Sequence, residues 1–299
     1  MSMSVQRRWA TLSITIVSAG ALVIAGASPA SAAPIGLGEA TSFSVLAGST
    51  VTNTGPSVIS GNVGVSPGSA VTFFPPGLVT APASIFGPPA ADGPKLALTT
   101  AYNNAAAAAV TPGPPTLTEL GGTTPVPGVY FNATGFGITA GAGPLVLNGG
   151  PNDVWIFQTA ATLITGPGSI VQLGPGVSAC NVFWQVGSSA TLGSTSVMVG
   201  TVMADQSIST GNGTTVTGRL LARIAAVTLI NTTINTPPAC IAASSFSGPG
   251  GVPLPAAGPS LPVMGVDLPW LAWSLSLVAI LAGATGVVVS ATRRRAARS

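Results

Sequence analysis

From residue 182 to residue 234 the chain repeats one pattern three times. The copies are Phe183-Trp-Gln-Val-Gly-Ser-Ser-Ala-Thr191-Leu, Val202-Met-Ala-Asp-Gln-Ser-Ile-Ser-Thr210 and Leu220-Leu-Ala-Arg-Ile-Ala-Ala-Val-Thr228-Leu. Each has an apolar run, a small or polar corner, and a short Ser/Thr-rich strand closing on Gly or Asn. Val202 follows Phe183 by 19 residues and Leu220 follows Val202 by 18. An upstream copy, Ile156-Phe-Gln-Thr-Ala-Ala-Thr162-Leu-Ile-Thr165-Gly, lies 27 residues before Phe183, and an echo, Ser44-Val-Leu-Ala-Gly-Ser-Thr50-Val-Thr52-Asn-Thr54-Gly, stands further upstream. A period near 20 built from short strands and small corners is the signature of a solenoid, in which no rung buries its apolar face alone but stacked rungs share a continuous core. With a strand period of two, Val51, Leu163, Leu192 and Ile208 point inward and their Ser/Thr neighbours face water. A β-sandwich, which also has short strands with frequent turns, is the competing architecture.

The two ends read differently. Arg7-Arg8, an apolar run over 12–27 and Ala30-Ser-Ala32 form an export signal over residues 1–32, by the general secretory route or, given the twin arginines, the twin-arginine route. Residues 268–291 are apolar and uncharged, long enough to span a bilayer of about 30 Å. Trp270 and Trp273 stand at the start of this stretch. Arg293, Arg294, Arg295 and Arg298 lie in the tail, 292–299, and keep it cytoplasmic. Residues 244–267 are a Pro/Gly/Ser stalk. It contains Leu261-Pro-Val-Met-Gly265, which resembles the LPxTG signal cut by sortase; Leu261, Pro262 and Gly265 match, but Met264 replaces the threonine that forms the acyl-enzyme bond. Sortase-mediated wall attachment and a plain single-span anchor both remain open.

The folded part is therefore residues 33–243. The formal charge of +3 comes from the ends: within 33–260 Lys95, Arg219 and Arg223 face Glu39, Asp92, Glu119, Asp153 and Asp205, a balance of −2. No basic face exists for nucleic acid. The chain has no histidine and its acids are scattered, so neither paired carboxylates nor a metal-ligand cluster can be assembled, and no enzyme activity, metal or cofactor is expected. Arg219 and Arg223 are expected to pair with Asp205 on the preceding rung. Cys180 and Cys240, the only cysteines, lie in an exported segment and read as a disulfide worth about 4 kcal/mol by loop closure. One helix, at about 94–110, is expected: Asp92 caps it, Pro94 suits its first turn, Pro112 stops it, and Leu98, Tyr102 and Ala105/Ala106 share one face.

Several of these stretches carry a family resemblance. The Ser44–Gly55 echo with Ile59-Ser-Gly-Asn-Val-Gly-Val-Ser-Pro-Gly68, then Asp153-Val-Trp-Ile-Phe-Gln, Asn181-Val-Phe-Trp-Gln-Val-Gly-Ser-Ser-Ala and Gly218-Arg-Leu-Leu-Ala-Arg, resemble in order the motifs of the bacterial and fungal ice-binding proteins with a DUF3494 domain. The resemblance covers roughly residues 36–234. It implies a mainly β fold: a right-handed parallel β-solenoid of triangular cross-section, discontinuous in sequence, with one long helix packed alongside. It also implies adsorption to ice through one flat face. Ice is an uncharged, repeating lattice, so a receptor needs small side chains on a rigid plane, and threonine brings a methyl and a hydroxyl on a stiff stem. Two candidate rows follow: Thr50, Thr52, Thr162, Thr191, Ser207, Ser209 and Thr228, and, from the next strand of each rung, Thr195, Thr215, Thr217 and Thr232. The implied partner is an ice surface, bound by a monomer; a surface adhesin without ice activity is the alternative on the same fold.

Overall fold

The computed structural model describes residues 32–112, 117–238 and 240. The export signal, stalk, sorting-like motif, apolar 268–291 stretch and basic tail lie outside these residues, and no helix among the described residues is long and apolar enough to cross a membrane.

Among the described residues twenty strands, all paired in parallel, wind into three stacks joined at tight corners. We label the stacks faces a, b and c in the order in which each rung visits them. Face a holds Gly128–Asn132, Trp155–Thr159, Val182–Val186, the second halves of Val197–Ala204 and Thr215–Ala222, then Phe43–Ala47, Asn62–Val65 and Ile85–Phe86. Face b is a seven-stranded sheet: Phe136–Ile138, Leu163–Thr165, Ala190–Leu192, Ile208–Thr210, Val227–Ile230, Thr50–Thr54 and Ala70–Thr72. Face c runs from the separate pair Leu145–Leu147 and Val171–Leu173 through the first halves of Val197–Ala204 and Thr215–Ala222 to Thr233–Asn235, Val58–Ile59 and Leu78–Val79. The discontinuity expected from the resemblance is present: Val45 pairs with Leu220 and Thr52 with Thr228, so the first rungs of the chain stack on the last.

The register corrects the alignment of the repeats by one residue. Val202 opposes Trp184, not Phe183, and Leu220 opposes Val202, so both steps are 18 residues. A one-residue slip turns every side chain to the other side of the sheet, and the observed register puts Trp184, Val202, Leu220 and Val45 together inside. Val51, Leu163, Leu192 and Ile208 are all fully buried as the period predicts. Inside the prism the large rings form a column: Tyr130, Phe157 and Trp184 stack at 5.4 and 4.4 Å, with Phe136 edge-on to Phe157.

Between faces c and a the backbone turns within the long strands at Gly200 and Gly218, both at positive φ; a Cβ on Gly218 would lie 1.9 Å from the Gly200 carbonyl oxygen. No other residue fits there.

Helix α1 (Asp92–Ala107) lies along face a. Its buried side chains, Leu98, Ala101, Tyr102 and Ala105, meet Leu46, Phe183, Met203 and Leu221 from the sheet; Ala106 turns to solvent. The small alanines allow close approach. Asp92 opens the helix but does not cap it: its carboxylate accepts a hydrogen bond from the Ser66 hydroxyl. The helix stops at Ala107, short of the expected 110. There the Gln158 amide, reaching up from face a, donates to the Ala105 and Ala108 carbonyls at 2.6 and 2.8 Å and takes the place of a further turn. Near its start Lys95 reaches into the sheet and donates to the carbonyls of Ala222 and Arg223 at 2.6 and 2.7 Å. Burial, followed by the nearby Arg223 charge, lowers its pKa to about 8.

Cys180 and Cys240 are joined, with Cα atoms 4.9 Å apart. The bridge sits where face c turns into face a, the edge opposite face b. Beside it Arg219, buried, donates to the carbonyls of Thr41 and Cys240, and burial lowers its pKa to about 10. Only Arg223 pairs with Asp205, at 2.6 Å, while its guanidinium lies 4.5 Å over the Tyr102 ring. Arg219 does not pair with Asp205 as the spacing suggested: it stands at the c/a corner, four residues before Arg223 leaves the strand at the a/b corner.

Candidate functional site

An extended solid can be met only by a broad exposed face. Face a is closed by α1, which leaves b and c. On face b the outward side chains fall into two columns set by the strand register. The central column is Gly137, Ile164, Thr191, Ser209, Thr228, Thr52 and Thr72. Two residues earlier in each strand or its approach is a flanking column that includes Thr162, Ser189, Ser207, Thr50 and Ala70. All seven residues of the first candidate row, Thr50, Thr52, Thr162, Thr191, Ser207, Ser209 and Thr228, therefore lie on one face. Adjacent rungs are about 4.8 Å apart, and hydroxyls of neighbouring rungs touch, Ser189 and Ser207 at 2.9 Å.

Neither column contains a charge. Lys95 and Arg219 are engaged on the face a side, and the Arg223–Asp205 pair lies at the a/b corner. Glu119 caps the Gly137 end of the stack through a main-chain bridge. Burial alone would raise its pKa, but hydrogen bonds from the Thr139 hydroxyl and from the main-chain N–H groups of Thr139, Gly121 and Leu120 outweigh that and lower it.

The second candidate row does not exist as a row. Thr195 stands in the b/c corner at φ 56°, with its hydroxyl donating to the Ser194 carbonyl. Thr215 and Thr217 lie outward on face c. Thr232 is fully buried, its hydroxyl 2.5 Å from that of Thr210, and reaches no surface. Face c has a different chemistry: Val197, Thr215, Thr233, Val58 and Leu78 are in register along it, and Ile170 bridges to Val197. Val197, Val58, Ile170 and Leu78 are 36%, 37%, 43% and 55% exposed, which makes this an apolar row broken by two threonines.

Five positions in these columns are not among the sequence candidates: Thr72 and Ala70, in a rung with no recognisable repeat; Gly137, at the end of the stack; Ser189, next to the corner of its copy; and Ile164, half-exposed, which breaks the hydroxyl column. Aligning Ser189 with Ser207 on the 18-residue step would have found it. Among the described residues no group of three or more side chains is placed to hold a metal ion.

A family model described as Ice-binding-like matches residues 45–235. An ice-binding protein of a Nostoc strain is 42% identical over 197 residues, 64% of this chain and 71% of that one. A Colwellia ice-binding protein is 36% identical over 220 residues, covering 67% of this chain and 83% of that one. In three dimensions the chain is similar to an ice-binding protein from an Antarctic biological consortium, at a TM-score of 0.66 and 39% identity, covering 69% of this chain and 93% of the other. It is also similar to one from the ascomycete Antarctomyces psychrotrophicus, at 0.63 and 38%, covering 68% and 98%.

Proposed function

Because the chain belongs to the ice-binding-like protein family, we propose that it adsorbs to ice through face b and thereby restrains ice growth and recrystallisation. The observation that carries the choice of face is the register: short hydroxyl and methyl groups stand in two uncharged columns on a seven-stranded parallel sheet. Charged side chains would order water around themselves and spoil the match to a neutral lattice. Stiff β-branched threonines hold their methyls and hydroxyls in place with little entropy left to lose on contact. Water organised over such an array can join an advancing crystal, and each adsorbed molecule then forces the front to bulge between anchor points, where curvature lowers the local freezing point.

We further propose that the protein is exported and held at the cell surface, by its 268–291 segment or through the sorting-like Leu261–Gly265 motif. The sequence supports this through the signal-like start, the apolar stretch and the terminal arginines. Protease digestion of intact cells tests it: loss of the solenoid with retention of a membrane-bound fragment is expected, and a protein protected inside the cell contradicts it.

The face is tested by placing a ring on each exposed side. Thr191→Tyr, in the centre of face b, should abolish inhibition of recrystallisation; Thr215→Tyr, on face c, should leave it intact. The opposite outcome moves the site to face c, and a folded parent protein without effect on ice removes the function.

A further inference from the structure

The main-chain ladder at the c-side edge of face b is completed by side chains at every second junction. At the junction of Phe136–Ile138 with Leu163–Thr165, pairing extends through the last residue, and Gly166 N–H donates to the Ile138 carbonyl at 2.8 Å. The same holds two rungs on, where Gly211 N–H meets the Leu192 carbonyl at 2.7 Å. At the junctions between, pairing stops one residue sooner. There the buried hydroxyl of Thr165 accepts from Gly193 N–H at 2.9 Å, and that of Thr210 accepts from Ile230 N–H at 3.2 Å. Thr210 also donates toward the Thr228 carbonyl at 3.4 Å, and its hydroxyl meets that of Thr232, which shares the Ile230 N–H.

We infer that Thr165 and Thr210 are positioning residues for ice adsorption: their buried hydroxyls fix the strand ends that carry Thr191 and Thr228. This rests on face b being the ice face. Gly193 lies two residues beyond Thr191, and Ile230 two beyond Thr228, so each hydroxyl holds the strand that presents a central outward threonine. At the a-side edge main-chain bonds continue from rung to rung, as in Gly187 to Thr159, Asp205 to Val186 and Arg223 to Ala204, and one exposed-column hydroxyl, that of Ser189, accepts from Ser207 N–H at 3.3 Å. Valine has nearly the shape of threonine, but at 165 it leaves the Gly193 N–H without its acceptor, and at 210 it leaves the Ile230 N–H to Thr232 alone and removes the tie to the Thr228 carbonyl. The hydrophobic interior survives that change, while a plane matched to a lattice is spoiled by it.

The full chain in nanodiscs, with empty nanodiscs as blank, is compared as parent, Thr165→Val/Thr210→Val, Thr165→Ser/Thr210→Ser and Thr191→Tyr. The valine double variant should fold, by circular dichroism near 0 °C, yet need at least about fivefold more protein to halt recrystallisation, the factor given by losing about 1 kcal/mol of binding. The serine pair, which keeps the hydroxyls, should return to the parental value, and a change in mere stability would not sort the two pairs in this way. Amide exchange at Gly193 should speed up in the valine protein and not in the serine protein. If the double variant does not fold, Thr165→Val alone decides by the same readouts. A folded valine protein with parental activity overturns the positioning role, and if Thr191→Tyr is meanwhile inactive the ice-face reading stands without it. A folded parent that is inert toward ice removes both.

Discussion

Faces b and c are laid down by the same turns of the same chain, yet they differ in the two properties that matter to a flat solid. Face b has strands of three to five residues in an unbroken seven-stranded sheet, with hydroxyls and methyls outward. Face c narrows to two-residue strands at Val58–Ile59 and Leu78–Val79, its first pair forms a separate sheet, and its exposed row is mostly Val, Ile and Leu. Rung stacking alone therefore does not make a binding plane. Continuous pairing keeps the plane level, and the outward residue type decides what it can hold.

The contrast is broken most severely by bulk on face b. Ser209→Tyr or Thr228→Tyr should abolish recrystallisation inhibition, whereas Thr233→Tyr, in register on face c, should leave it unchanged; both are read on ice held just below its melting point. Next in size is a change far from either plane. Removing the bridge with Cys180→Ser/Cys240→Ser releases a 60-residue separation and should cost about 4 kcal/mol, seen as a lowered urea midpoint, while the folded fraction at 0 °C keeps its ice activity.

A smaller effect comes from Lys95. Its pKa is lowered to about 8 in the folded protein against 10.5 unfolded, so between those values the unfolded chain binds more protons and stability rises with pH. From pH 8 to pH 10 the gain should be about 2 kcal/mol, and Lys95→Met should flatten it, as denaturant titrations at each pH will show. The smallest changes sharpen the comparison from both sides. Ile164→Thr should extend the hydroxyl column and bring a slight gain in activity. Val58→Thr/Val197→Thr should add hydroxyls to face c and bring none, because its short strands do not keep a plane.

Much of this was legible in the sequence because a period of two inside each rung and about 18 between rungs leaves little freedom. Val51, Leu163, Leu192 and Ile208 had to point inward, so Thr52, Thr191 and Ser209 had to point out. What failed was the extension of that period through corners. Thr195 and Asn231 adopt positive φ, and after the turn at Asn231 the next residue, Thr232, faces inward. Period two holds only while the backbone stays extended. The helix was visible from its alanines and prolines, but its end is fixed by Gln158, a residue 51 positions beyond Ala107 with no local signal. The destination of Arg219 was hidden for the same reason: spacing shows that two arginines share a strand, not that one of them meets Thr41 and Cys240 across a corner.

The stacking of Phe43–Ala47 on Thr215–Ala222 has a consequence in time. Val45 finds Leu220 only after 175 further residues have been made, and the strands on which Thr50–Thr54 and Val58–Ile59 must rest are the last of the solenoid to leave the ribosome. A fold dominated by such distant contacts closes slowly. The early rungs must wait as an open chain with unpaired strand edges. In that interval the polypeptide is still in a state that can be threaded through a narrow pore, and the same interval exposes it to wrong partners. The order of the rungs thus makes completion of the fold a late event, set by the arrival of the C-terminal strands.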